Sequence, residues 1–229
     1  MQAILNGDPV GAAMNAAGAI PGPGDGIKIT GAIVCYTGKF PWKARELGIL
    51  LSKELLGPLP DTIKIQVWDL LFDGAGSRLV RGEIAAGDVA KVIEQNGNIE
   101  RTLNAVKRVD GKVFWLEEGT ESTGWLHIFN RRIKDYSDVS KGGNQFAYAF
   151  DRYGTNYRDA ESIQNLIFEC VKSGVKDPDD FAYYMRVTDE HAIKVVHGRT
   201  VILPDGTIKE SGYIITAYPI SIGEVPVNI

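Results

Sequence analysis

The side chains best suited to acid–base chemistry in this 229-residue chain are its three histidines, His127, His191 and His197. Arg131 and Lys134 follow His127 at i+4 and i+7, so that these three side chains share one face of a helix. The opposite face is apolar and consists of Leu126, Phe129, Ile133 and Tyr136. A proton-transfer group beside two cations suits phosphodiester cleavage, in which a base takes the proton of a ribose hydroxyl and cations stabilise the phosphoryl oxygens. The alternative is a solvated basic face with a surface histidine, an arrangement that is common on exposed helices.

The helix that carries His127 is expected at about Ser122–Tyr136, shortly after the chain changes character. The turn dipeptide Asp110-Gly111 precedes a β-prone run at Lys112–Leu116,. We therefore place a domain boundary near residues 108–111, with a mostly helical domain at 1–109 and a second domain at 110–229.

The first domain shows helical patterns separated by proline and glycine. An Ala/Gly-rich stretch at Ala12–Ile20 is broken by Pro21–Gly26, and an amphipathic stretch at Trp42–Leu56 ends before Pro58,. Asp61 is expected to cap a helix through Leu71, and apolar residues then recur at helical spacing from Ala86 to Val109.

In the second domain, helices precede strands. A second helix is expected from Asp159 to Ser173, where Gly174 ends it. Four strands are then predicted, at Phe181–Val187, Ala192–His197, Thr200–Leu203 and Thr207–Pro219. Pro204–Gly206 is expected to form a hairpin turn between the last two. Helices followed by an antiparallel meander predict an α+β fold, with two helices packed on a four-stranded antiparallel sheet. An aromatic segment at Asn144–Tyr153 fits either base stacking or core packing.

Three stretches of the second domain resemble the C-terminal nuclease module of bacterial polymorphic toxins: Val113–Gly119 (VFWLEEG), Gly124–Arg132 (GWLHIFNRR) and Ser211–Pro219 (SGYIITAYP). Such modules belong to a broad superfamily that includes barnase, EndoU, colicin D-like and RelE-like ribonucleases. Their motifs are a helix of the form Gly-Leu-x-His-Ile-Leu-x-Arg-His and a final strand of the form Gly-Tyr-x-x-Thr-Ala-Tyr-Pro. The resemblance covers residues 112–220, which is about half of the chain.

This resemblance assigns roles to individual residues. His127 would be the catalytic general base or acid, Arg131 would contact the phosphate, and Thr216 and Tyr218 would position the scissile phosphate. The alternative for Thr216 and Tyr218 is a framework role, because both residue types are common in strands. Arg132 stands where many relatives have a second histidine, which leaves the second proton-transfer group open.

The candidates for that second proton-transfer group are His191, His197 and a tyrosine. The alternative is a mechanism with a single histidine, in which the transition state is stabilised by nearby charges alone. The second cation is either Lys134 or Arg132, and Lys134 is the better placed of the two, because Arg132 projects nearer the apolar face than Arg131 and Lys134 do.

The resemblance implies that the chain is an endoribonuclease toxin used in competition between bacteria and that it works without a metal ion. It would cleave cellular RNA, with tRNA as one candidate, through attack of a ribose 2′-hydroxyl on the adjacent phosphate. Its expected partners are the RNA and a cognate immunity protein. It would be delivered within a larger secreted effector and act in the target-cell cytoplasm, without stable membrane insertion. The stretch Ile20–Gly26 resembles pretoxin segments that precede such modules.

No cofactor is expected, since the sequence shows no nucleotide-binding glycine loop, zinc spacing or calcium-type carboxylate pattern. The alternatives are a non-catalytic interaction or membrane-translocation module, and a toxin domain that has lost its catalytic residues.

The charge of the chain limits how it could bind RNA. Its net charge of -4 comes entirely from residues 111–229, which carry 13 basic and 17 acidic side chains, whereas residues 1–110 carry 12 of each. This acidity argues against general coating of nucleic acid. Cations concentrate around Arg131, Arg132, Lys134 and Lys141, which favours a small, local phosphate site, and an immunity protein is expected to present acidic groups to it.

Overall fold

The computed structural model describes residues 26–54, 56–57, 59–80, 83–134, 144–150, 157, 159–198, 200–203, 206–226 and 228–229. The predictions for Ala12–Ile20 and for the charges at Asp135, Asp138 and Lys141 lie outside these residues. The chain divides into two compact units, Met1–Thr102 and Leu103–Ile229.

The first unit is helical in its described part as far as residue 94. Its helices are α1 (Gly26–Lys39), α2 (Ala44–Glu54), α3 (Asp61–Leu71), α4 (Ala75–Val80) and α5 (Val89–Glu94), with short 3-10 turns at Pro41–Lys43 and Ala86–Asp88. Fully buried Tyr36, Leu51 and Trp68 form part of the core, and the Trp68 indole donates to the Ala86 carbonyl at 2.8 Å. Asp61 is the first residue of α3 rather than its cap, since Pro60 occupies the capping position.

The helical pattern predicted through Val109 is wrong beyond Glu94. Asn96 has φ of 66°, which ends α5, and strand β1 (Thr102–Lys107) then pairs with strand β2 (Val113–Glu117). Two apolar residues three apart, Leu103 and Val106, fit a helix and a strand about equally well, so periodicity alone could not separate the two. Residues 108–111, where the sequence predicts the domain boundary, form the turn between β1 and β2. The two compact units meet a few residues earlier, between Thr102 and Leu103.

The second unit is α+β and contains a four-stranded antiparallel sheet. Its strands are β3 (Val175–Lys176), β4 (Ala182–Arg186), β5 (His191–His197) and β8 (Ile214–Ser221), in the order β3-β4-β5-β8. The predicted strand at Thr200–Leu203 is not part of this sheet: β6 (Val201–Ile202) pairs with β7 (Ile208–Lys209) in a separate hairpin. The run predicted at Thr207–Pro219 is therefore two strands.

Three helices of the second unit are described: α6 (Gly124–Arg132), α7 (Gln145–Phe150) and α8 (Ala160–Ser173). Asp159 caps α8 by accepting from the Ser162 amide at 2.8 Å. Helix α8 packs on β4 and β5, whereas α6 and α7 lie against β8. Phe146 and Phe150 of α7 are fully buried, so this part of the aromatic segment packs in the core and is not available for base stacking.

Candidate functional site

Helix α6 faces the core with a different side from the one that the sequence predicts. Leu126 and Phe129, expected inside, are 41% and 38% exposed, whereas Ile128 is fully buried and Arg132, one turn later, is half-buried. The helix begins at Gly124, which has φ of 75° and lies so close to the Tyr213 hydroxyl that a Cβ there would be 2.9 Å from it. The helix can therefore start this close to Tyr213 only with a glycine at its first position.

His127 is held in one tautomer. Its Nδ1 lies 2.7 Å from the Glu121 carbonyl oxygen. Because a carbonyl can only accept a hydrogen bond, Nδ1 must carry a proton, and Nε2 is the nitrogen that remains for proton transfer. The ring is half-buried at the first turns of α6. His127 is therefore oriented as a general acid or base should be.

Arg131 and Lys134 are both exposed. Within the described ranges neither makes an ion pair or a side-chain hydrogen bond. Arg131 remains on the flank of α6 that carries His127, one turn further on, as the i, i+4 spacing predicts. Lys134 follows the end of the helix, so its position is less fixed than that of the arginines.

Arg132 contacts the final strand. Its guanidinium carbon lies 4.7 Å from the centroid of the Tyr218 ring, and its Nη1 donates to the Gln145 side-chain oxygen at 3.0 Å. Its Nε is buried and has no partner among the described residues. The pKa of Arg132 is lowered overall, mainly by burial and also by the positive charge of Arg131, although Tyr218 acts in the opposite direction. The structure thus brings together two of the predicted site residues, Arg132 and Tyr218.

Thr216 shares a face of β8 with Tyr218, since the two residues alternate along the strand. Its hydroxyl oxygen is buried and, within the part of the chain that the structure describes, has no hydrogen-bond partner. A buried hydroxyl without a partner is costly in a protein interior. Two polar atoms, Arg132 Nε and Thr216 Oγ1, are therefore buried near Tyr218 without a partner among the described residues.

His127 is not in contact with this pair. Five residues of α6 separate it from Arg132, which places the two Cα atoms about 9 Å apart. The site consists of a histidine near the start of α6, Arg131 between, and the Arg132, Thr216 and Tyr218 group at the other end of the helix. The sequence did not single out Gln145, which holds the Arg132 guanidinium.

The other two histidines occupy structural positions. His197 is fully buried, its Nδ1 lies 2.9 Å from the Ser211 carbonyl, and its ring packs against Phe114, Phe181 and Tyr183. Burial lowers the pKa of His197, which favours the neutral form. His191 begins β5 opposite Ser221, and its Nδ1 is also buried. A buried His197 is poorly placed to give a proton to a substrate.

No protein-family model and no curated protein matches this sequence. Among the described residues, no group of three or more His, Cys, Asp or Glu side chains is placed to hold a metal ion. None of the described helices is both long enough and apolar enough to cross a membrane.

Proposed function

We propose that this chain is an endoribonuclease toxin that works without a metal ion, with its reaction carried out by the second unit. Its substrate is cellular RNA, with tRNA as one candidate, and a cognate immunity protein neutralises it. The chain is delivered as part of a larger effector and acts in the cytoplasm of the target cell.

The observation that carries this proposal is the contact between α6 and β8. The two motifs on which the resemblance rests are distant in sequence, yet Arg132 of one stacks on Tyr218 of the other at 4.7 Å. A guanidinium has five N–H donors, and Gln145 takes one of those of Arg132,. Arg132 can therefore donate charge-assisted hydrogen bonds to a phosphate oxygen.

The reaction would begin with proton transfer to His127. Nε2 takes the proton of a ribose 2′-hydroxyl, and the 2′-oxygen attacks the adjacent phosphorus. The bond from phosphorus to the 5′-oxygen breaks, which leaves a 2′,3′-cyclic phosphate on one fragment. The 5′-oxygen takes up a proton from water and becomes a hydroxyl on the other fragment, and His127 returns its proton to the solvent.

Arginines stabilise the charge that builds on the phosphoryl oxygens during this reaction. Arg131 lies one turn from His127 and has no competing partner among the described residues, so it is free to follow the phosphate. Arg132 is fixed by Gln145 and Tyr218, so it contributes without a cost of reorganisation.

The test is cleavage of total RNA by the full chain and by His127→Ala. We expect discrete RNA fragments ending in a cyclic phosphate from the wild type, at an undiminished rate in EDTA, and a loss of at least about 100-fold in the variant. Lys209→Ala, which removes an exposed charge from β7, is the control and should keep full activity. Full activity in His127→Ala, with the fold intact, would refute the assignment.

A further inference from the structure

A row of aromatic and cationic side chains crosses the four-stranded sheet beside the proposed phosphate site. Lys194 of β5 pairs directly with Tyr184 of β4 on one side and with Tyr218 of β8 on the other. Residues that are directly opposite in antiparallel strands point to the same face and have Cβ atoms about 5 Å apart. Because Arg132 stacks on Tyr218, the row reads Tyr184, Lys194, Tyr218, Arg132.

Lys194 is fixed in this row. Its ammonium donates to an Asp180 carboxylate oxygen at 3.0 Å and lies 5.3 Å from the centroid of the Tyr184 ring. Its side chain is only 18% exposed. Burial lowers the pKa of Lys194, but hydrogen bonds with Tyr184 and Asp180 and the nearby Tyr218 raise it overall above the ordinary value. Lys194 is therefore a positioned cation that stays charged.

The donors of Lys194 are not exhausted. An ammonium has three N–H groups, and Tyr184 and Asp180 account for two of them,. Tyr218 has the Arg132 guanidinium over its ring and lies directly opposite Lys194 on the neighbouring strand. A ligand beside Tyr218 would thus have Arg132 on one side and Lys194 on the other.

We propose that Lys194 is a third cation of the site, in addition to Arg131 and Arg132, and that it binds the phosphate together with Arg132, from the two sides of Tyr218. This inference rests on the proposed function and extends it by one residue. It gives to Lys194 the role that the sequence suggested for Lys134, which is exposed and follows the end of α6.

The experiment measures binding of inorganic phosphate by NMR titration of the full chain at low ionic strength, in parallel with RNA cleavage. Lys194→Met keeps most of the aliphatic stem and removes the charge, and Lys209→Met, at an exposed lysine of β7, is the matched control. We expect Lys194→Met to weaken phosphate binding by about tenfold or more and to reduce cleavage similarly, with little effect from Lys209→Met. Lys194→Arg, which keeps the charge, should restore part of both.

Because Lys194→Met leaves the Asp180 carboxylate without its ion pair, thermal unfolding is recorded for each variant. If Lys194→Met does not fold, the double variant with Asp180→Asn removes both charges and takes its place. Unchanged phosphate affinity in the folded variant would overturn the inference, and so would a wild type that binds no phosphate.

The two proposals fail in different ways. Phosphate binding that depends on Lys194, without any cleavage of RNA, would support the role of Lys194 and refute the ribonuclease. RNA cleavage that depends on His127 but is unaffected by Lys194→Met would support the ribonuclease and overturn the role of Lys194.

Discussion

Glu210 is the strongest electrostatic link in the second unit, and its replacement by glutamine should destabilise the protein in a pH-dependent way. Its two carboxylate oxygens accept hydrogen bonds from Lys112 and Lys176, each at 2.6 Å. Lys112 precedes β2 and Lys176 lies in β3, so the carboxylate joins segments that are far apart in sequence. Partial burial raises the pKa of Glu210, but the two lysines lower it overall to about 2.

The size of the effect follows from that pKa. A fall from 4.5 to about 2 corresponds to about 3 kcal/mol of folding free energy at neutral pH. This is an upper bound, because the Glu210 side chain is 35% exposed and solvent screens the pairs,. Burial also lowers the pKa of Lys112 despite the attraction of Glu210, so the charge of this lysine costs folding energy. We therefore expect a net loss of about 1–2 kcal/mol in Glu210→Gln at pH 7.

The pH dependence has a definite sign. Because the folded pKa of Glu210 is depressed, the stabilisation is present above pH 4.5 and is lost as the pH falls towards 2,. Urea unfolding of wild type and Glu210→Gln between pH 7 and pH 3 should show a difference that falls to less than half by pH 3. Glu190→Gln, at an exposed turn, is the control. A difference that is absent at pH 7, or equally large at pH 3, would refute the reasoning.

Three other predictions concern the site and its support. Arg132→Lys keeps the charge but cannot both stack on Tyr218 and bind Gln145, so RNA cleavage should fall by about tenfold with little change in melting temperature. RNA affinity, measured with the His127→Ala variant, should fall with salt at a log–log slope of about -2, as contacts from Arg131, Arg132 and Lys194 require; a slope near -5 would contradict a local site. Gly212→Ala would place a Cβ against the Val113 carbonyl, so urea unfolding should show a loss of at least about 2 kcal/mol, with Gly223→Ala as the unaffected control,.

The sequence predicted those parts of the fold that have strong local signals. Helix α8 was placed within one residue because Asp159 caps it and Gly174 ends it. The α+β class was predicted correctly, and so was a hairpin between Thr200–Leu203 and the run that follows it. A four-stranded antiparallel sheet was also expected, but with a different set of strands: β3 was missed, and β7 was merged with β8, since a two-residue strand shows no alternation,.

The predicted inner face of α6 was wrong in part. Ile133 is buried as expected, but Leu126 and Phe129 are more exposed than Gly124 and Ile128. A helical wheel cannot assign a glycine to the core side, because glycine has no apolar side chain. Nor could the sequence alone find Lys194, because its partners Asp180 and Tyr184 are ordinary strand and turn residues until the register of β4 and β5 is known. A lysine between Ile193 and Val195 in an apolar strand was the available signal.

The acidity of residues 111–229 and the arrangement of the cations lead to one conclusion about substrate choice. Bulk attraction cannot hold RNA on a surface with surplus negative charge, so affinity must come from a few fixed groups. Arg132 is held by Gln145 and Lys194 by Asp180, which fixes the distance between the two cations before any substrate arrives. Two cations held at a fixed distance can bind a phosphate only where the shape of the RNA backbone lets that phosphate reach both of them. Selectivity among RNAs should therefore depend on the shape of the strand at the scissile phosphate more than on the length of the RNA.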